Sequence, residues 1–258
     1  MAGASAAGDA PDLSPSMNEE NPLSGTSETR KPPLGSLAIL RKAIGNEIKT
    51  LKEHELSRRV YDGVLLQDEE EQGEAGNSED QGLPYTHKYW VHDKLNKNCW
   101  MVLAKVLSIS SVHDRRCWKW TEEEEKSYHP ENRKICIAEL DKVSLLEISG
   151  KCKTIVLSPK TAYEVEIFVK MKPESSGWEV PVSLSLTLPD GNKQGRMEFL
   201  DRLEKDKWLP ISIGKFETTP KTVGEISFSL TQTDGHSKSG LLVKGVVFTP
   251  IPEVSSTG

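Results

Sequence analysis

The chain has 258 residues, with 39 acidic against 33 basic side chains, 36% hydrophobic residues and 6% aromatics. These values lie near the lower edge of the globular range, so part of the chain is expected to stay unfolded. No stretch approaches the roughly 18 uncharged apolar residues of a membrane span, and the first ten residues lack the charged-then-apolar order of a secretory signal. Asp9, Asp12, Glu19 and Glu20 are also unlike a transit peptide, so the expectation is a cytoplasmic protein, with the nucleus as the second compartment.

The charge is unevenly spread: residues 1–67 carry −1, residues 68–84 carry −7 and residues 85–258 carry +2. The acidity therefore belongs to one short segment, and the rest of the chain has neither the strongly basic nor the strongly acidic balance of a nucleic-acid or polycation binder. Cys99, Cys117, Cys136 and Cys152 form no Cys-x-x-Cys pair, and free thiols are the expectation.

In chain order, residues 1–35 are small, polar and poor in large apolar side chains, which predicts a disordered tail. From residue 36 to 62, Leu37, Leu40, Ile44, Ile48 and Leu51 recur at three and four, which predicts one amphipathic helix of about six turns, with Ser36 as its cap. Such a stripe packs on its own chain, on a second copy or on a partner. Residues 63–84, with Asp68, Glu69, Glu70 and Glu71, read as an acidic solvated linker. After Pro84 the period becomes two. Tyr163, Val165, Ile167, Val169 and Met171 alternate with polar residues, as do Trp178, Val180, Val182, Leu184, Leu186 and Leu188. Further strands are predicted within 99–110, 134–140, 144–151, 207–216, 223–231 and 241–249, separated by turns such as Pro189-Asp190-Gly191-Asn192 and Asp234-Gly235. Many short strands without long helices between them indicate an all-β, antiparallel sandwich over residues 85–258, with its core at 98–252. Its expected interior includes Val165, Ile167, Val169, Val182, Leu184, Leu186, Ile226, Phe228 and Val243.

Catalytic templates do not fit. Gly235-His236-Ser237-Lys238-Ser239-Gly240 has Ser where a nucleophile elbow needs its second Gly. His113, Asp114, Cys117 and His129 lack the spacing of a structural zinc site, and no phosphate or dinucleotide loop occurs. No metal, cofactor or enzymatic activity is therefore expected. Arg115-Arg116-Cys117-Trp118-Lys119-Trp120 is more informative. In an extended segment Trp118 and Trp120 project to the same side, beside cations and acids. That arrangement suits a sugar, whose C–H face stacks on indole while its hydroxyls need polar partners. The same indoles suit bases of an RNA, or the core itself.

Several blocks in order carry a family resemblance. They are Trp100-Met101-Val102, Leu107 to Ser111, Cys117 to Trp120, Ala138 to Lys151, Leu157 to Tyr163, Lys207-Trp208-Leu209 with Gly214-Lys215-Phe216, and Ser239 to Gly245. Together they resemble the plant phloem protein 2 family, the Nictaba-like lectins. The resemblance implies a jelly-roll-like β-sandwich that binds N-acetylglucosamine oligomers or N-glycan cores without metal or catalysis. It implies a carbohydrate site similar to a tryptophan pair plus a late acid. Trp118 matches the second tryptophan, Glu225 matches the acid, and Ser111 stands where the family has its first tryptophan; Trp120 is the neighbouring indole. The alternative is a scaffold of the same fold that binds protein or RNA, with RNA ranked second among partners. Weak sugar sites gain from pairing, so a homo-oligomer through residues 36–60 is a further expectation.

Overall fold

Residues 31–33, 35–67, 84–127 and 133–252 are described by a computed structural model. Of the tail predicted at 1–35, residues 1–30 and 34 lie outside these described residues, as do nearly all of the acidic run, His129 and the last six residues.

Helix α1, Ser36–Ile44, comes first. The single long helix expected over 36–62 is divided: α1 ends at Gly45, whose positive φ of 57° breaks the spiral, and a 3-10 turn over Gly45–Thr50 leads to helix α2, Glu53–Asp62. Ser36 is not the cap. Gly35 holds that position, while the fully buried Ser36 hydroxyl donates to Pro33 O at 2.7 Å. The apolar stripe is used within the chain. Leu40 is fully buried, Ile44 and Ile48 pack against the main core, and Leu37 is left exposed. The stripe thus packs largely within its own chain, with Leu37 as its exposed member.

The strands form two sheets. The first runs β1 (Val64–Leu66), β2 (His87–Val91), β3 (Asn98–Leu103), β13 (Ser239–Pro250), β6 (Arg133–Leu140) and β5 (Trp118–Glu125), and β8 (Ala162–Ser176) and β11 (Leu209–Glu217) extend it from β13. The second runs β10 (Lys193–Glu198), β9 (Val182–Thr187), β12 (Glu225–Gln232), β7 (Leu146–Lys153) and β4 (Ser108–Ile109). Every ladder between these strands is antiparallel. Strand β13 organises the first sheet: it pairs with β8 along one edge, and with both β3 and β6 along the other.

Period-two alternation does what it predicts. All nine residues named above for the interior are at most 3% exposed and belong to one cluster between the sheets. A second, smaller cluster lies on the opposite face of the first sheet, where Ile135 and Ile137 of the β5–β6 hairpin meet Met101, Leu103, Leu242 and Val247. Charged residues rim it: Glu125 lies between Lys88 (2.6 Å) and Lys244 (3.2 Å), and Trp208 Nε1 donates to Glu123 at 2.7 Å.

Two further differences concern strand limits. Val64–Leu66 is buried and paired with β2 rather than linker, because three consecutive apolar residues are too valuable to leave in water. Trp178 precedes β9 instead of starting it, with its indole buried and donating to Ser239 O at 2.8 Å. The edges of the two sheets meet at β10 and β11. There the Gln194 amide bridges Lys215, accepting from its N–H at 3.0 Å and donating to its carbonyl at 2.6 Å. The four cysteines are free thiols, and burial raises the pKa values of Cys99 and Cys152.

Candidate functional site

A groove of about 870 Å³ lies between α1 and the sandwich. One wall is α1, through Ala38, Ile39 and Lys42; the opposite wall is β7 and the turn after it, through Lys151, Lys153 and Ile155. Its floor comes from the β2–β3 hairpin. The register Tyr89 to Trp100 and His87 to Val102 sets His87, Tyr89, Trp100 and Val102 on one face, so His87 and Trp100 are diagonal neighbours. Their rings stand 5.1 Å apart at 37°, and Trp100 keeps 9% of its surface exposed.

Asn98 fixes the walls to the floor. Its amide donates to Val156 O at 3.1 Å, its N–H to Ser158 Oγ at 2.9 Å, and its Oδ1 lies 3.0 Å from the Tyr89 hydroxyl, which reaches Ser36 Oγ at 2.7 Å. Burial raises the pKa of Tyr89, so the phenol stays a neutral hydrogen-bonding group. Glu225 opens β12 opposite Lys153, at the mouth of the groove, and pairs with Lys151 Nζ at 2.7 Å. The backbone behind it is clasped, since Thr154 N–H donates to Gly224 O at 2.9 Å and Gly224 N–H donates to Thr154 Oγ1 at 3.0 Å.

A second concavity of about 470 Å³ adjoins the first and shares His87, Val106 and Lys151 with it. Hydroxyls dominate its lining because β7, β9 and β12 direct Ser149, Ser185, Thr187, Ser227 and Ser229 away from the core, in matched rows across the sheet.

The residues expected to form the carbohydrate site are not brought together. Trp118 is 2% exposed, and its Nε1 donates to Ser110 O at 2.9 Å. Its register partner Leu140 is a core residue and Trp118 packs in the same cluster, so this indole presents no open stacking face. Trp120 does project to the same side and is 38% exposed, with the Lys105 ammonium 4.4 Å from its ring centre. Ser111 is exposed with a left-handed φ of 59°, a backbone conformation unfavourable for a bulky residue. Glu225 is remote from both Ser111 and Trp118. Ser110 N–H bonds Glu147 O at one end of β7, whereas Glu225 faces Lys153 six residues along, about 20 Å away at the usual strand rise. Of the four, Glu225 alone lines the groove, and Trp120 touches its margin through Lys105.

The other sequence features resolve as structure. Arg116 holds Asp114 at 2.8 Å, and its side-chain and then backbone hydrogen bonds lower that carboxyl to about 2. Lys238, fully buried, donates to Asp234 Oδ1 and His236 O at 2.7 Å and to Ser144 O at 2.9 Å, so the loop that resembles an elbow is stapled. Among the described residues no group of three His, Cys, Asp or Glu side chains is placed to hold a metal.

The sequence pattern described as phloem protein 2 matches residues 97–250, more than half of the chain. The chain belongs to the phloem protein 2 family. A protein named "Lectin" from Luffa acutangula is 37% identical over 166 residues, which are 64% of this chain and 77% of that one. Phloem protein 2-like A1 of Arabidopsis thaliana is 34% identical over 225 residues, covering 86% and 82% of the two chains. Among solved structures, a xylan-binding domain from Paenibacillus barcinonensis covers 58% of this chain and 88% of its own at 14% identity and a TM-score of 0.32. The family region begins at Lys97, so the β3 floor and the Glu225 wall lie inside it while α1 and β2 lie outside.

Proposed function

We propose that this chain is a non-catalytic carbohydrate-binding protein that holds an oligosaccharide in the groove between α1 and the sandwich. The observation that carries the reading is the coincidence, in one groove, of an aromatic floor and fixed polar groups: Trp100 and His87 below, Glu225 and Lys151 at the mouth. A sugar ring needs both, an apolar platform for its C–H face and charged or amide partners for its hydroxyls. A relative named "Lectin" at 37% identity supports the same class. N-acetylglucosamine oligomers are the first ligands to test, as the family resemblance implies. The mostly buried floor and exposed walls make a shallow contact, so the expected affinity is weak, with a dissociation constant above about 10 µM. Calorimetric titration of the full chain with chitotriose tests the proposal. Binding that falls at least fivefold in Glu225→Gln supports it, and no heat up to millimolar ligand refutes it.

The burial of Trp118 favours one rival, a scaffold that keeps the fold and binds protein or RNA instead. An RNA partner would show affinity falling steeply with salt, because several phosphates would be neutralised.

A further inference from the structure

The charges around the groove point beyond a neutral sugar. Four ammonium groups line it, Lys42 on the α1 wall, Lys105 at the margin beside Trp120, and Lys151 and Lys153 opposite. One carboxylate, Glu225, is the acidic residue among the described lining residues, and Lys151 already meets it at 2.7 Å. All four lysines are exposed. Residues 85–258, which supply three of the four lysines, carry only +2 in sum, so this cationic concavity does not reflect a generally basic surface. The adjoining hydroxyl-lined concavity adds Lys193 and no carboxylate. Low-dielectric walls concentrate such a field inside a groove, raising the local concentration of anions.

We propose that the preferred ligand of this groove is an oligosaccharide bearing carboxylates, such as a chain of uronic acids, rather than a neutral one. This rests on the reading of the groove as a glycan site. The Trp100–His87 floor takes the ring faces, and the lysines on the two walls take carboxylates of successive residues. At about 870 Å³ the groove lies toward the upper end of the usual range for ligand pockets, which suits two or three sugar units better than one. Helix α1 thereby becomes a specificity element: it lies outside the family region yet supplies Lys42 and one whole wall.

The test is a set of titrations on the full chain, with trigalacturonate, chitotriose and trialanine-length acidic peptide Asp-Asp-Asp at equal concentrations. The expected result is tighter binding of trigalacturonate than chitotriose, by tenfold or more at low salt, with the advantage shrinking as salt rises. Lys42→Ala and Lys153→Ala should each weaken trigalacturonate by about two- to fivefold, the worth of an exposed charge pair, and weaken chitotriose by less, so that the preference for the acidic sugar narrows. Ala38→Trp, which fills the α1 wall, should weaken both sugars, whereas Leu37→Trp on the solvent side should weaken neither. If chitotriose binds as well as trigalacturonate, the charge preference is overturned while the glycan reading stands. If the acidic peptide matches trigalacturonate, the site recognises anions and not sugars, which overturns the proposal. If no sugar binds, both readings fall.

Discussion

Replacing Trp118 separates a structural indole from a sugar-binding one. The side chain is 2% exposed and its Nε1 donates to Ser110 O at 2.9 Å. Trp118→Phe keeps an aromatic ring but removes that donor, leaving the Ser110 carbonyl unpaired at a cost of about 1–3 kcal/mol. Trp118→Ala adds a cavity and should cost about 3–5 kcal/mol. For a domain of this size about 3 °C is expected per kcal/mol, so Trp118→Phe should lower Tm by roughly 3–9 °C. Thermal unfolding by circular dichroism and calorimetric titration with chitotriose, run on the same sample, give both quantities. The expected outcome is a lower Tm with unchanged affinity below the transition. Unchanged Tm with lost affinity would mean that the indole faces ligand, and would refute the placement of Trp118 in the core.

Glu225→Gln should show the opposite pattern, because its pair with Lys151 is exposed and contributes about 0–1 kcal/mol to stability: Tm moves by less than 3 °C while glycan affinity falls. Gln194→Ala removes the bridge between the two sheet edges and should raise amide hydrogen exchange at Lys215, at a cost of about 1–2 kcal/mol; unchanged exchange would show that the edge holds without it. At Glu125 burial alone would raise the pKa, but Lys88 and then Lys244 outweigh it and the pKa is lowered. A depressed carboxyl contributes stability that is complete above its unfolded value of about 4.3 and is lost as pH falls through the folded value. Denaturant unfolding followed from about pH 5 down to pH 3 should therefore fall less steeply in Glu125→Gln than in the parent, and parallel curves would contradict the assignment.

The sandwich was legible because a strand with one buried face writes its burial into alternate positions, as from Tyr163 to Met171 and from Val182 to Leu186. Short elements lacked that signal. Three residues at Val64–Leu66 are too few to show a period, and β10 carries Lys193, Gly195 and Arg196 because it lies at an edge with little to bury. The apolar run Cys99–Leu103 is buried on both faces, so nothing in it distinguished Trp100 as a groove floor from Trp100 as core. The site itself was less legible than the fold. Same-side projection of Trp118 and Trp120 was correct, yet sheet geometry fixes only the side of a residue; whether it meets core or water depends on what packs there, and Trp118 meets Leu140. The groove also depends on α1 crossing to the sandwich, a contact between residues about sixty to two hundred positions apart in sequence, which periodicity does not encode.

The central claim, that the groove between α1 and the sandwich holds a glycan, is tested most directly by mapping amide and indole resonances of the full chain during titration with chitotriose. The account predicts saturable shifts concentrated at the Trp100 indole, His87, Ala38 and Glu225, and little change at Ser111 and the Trp118 indole. Shifts centred on Ser111, Trp118 and Trp120 with the groove unaffected, or no shifts at millimolar sugar, would contradict it.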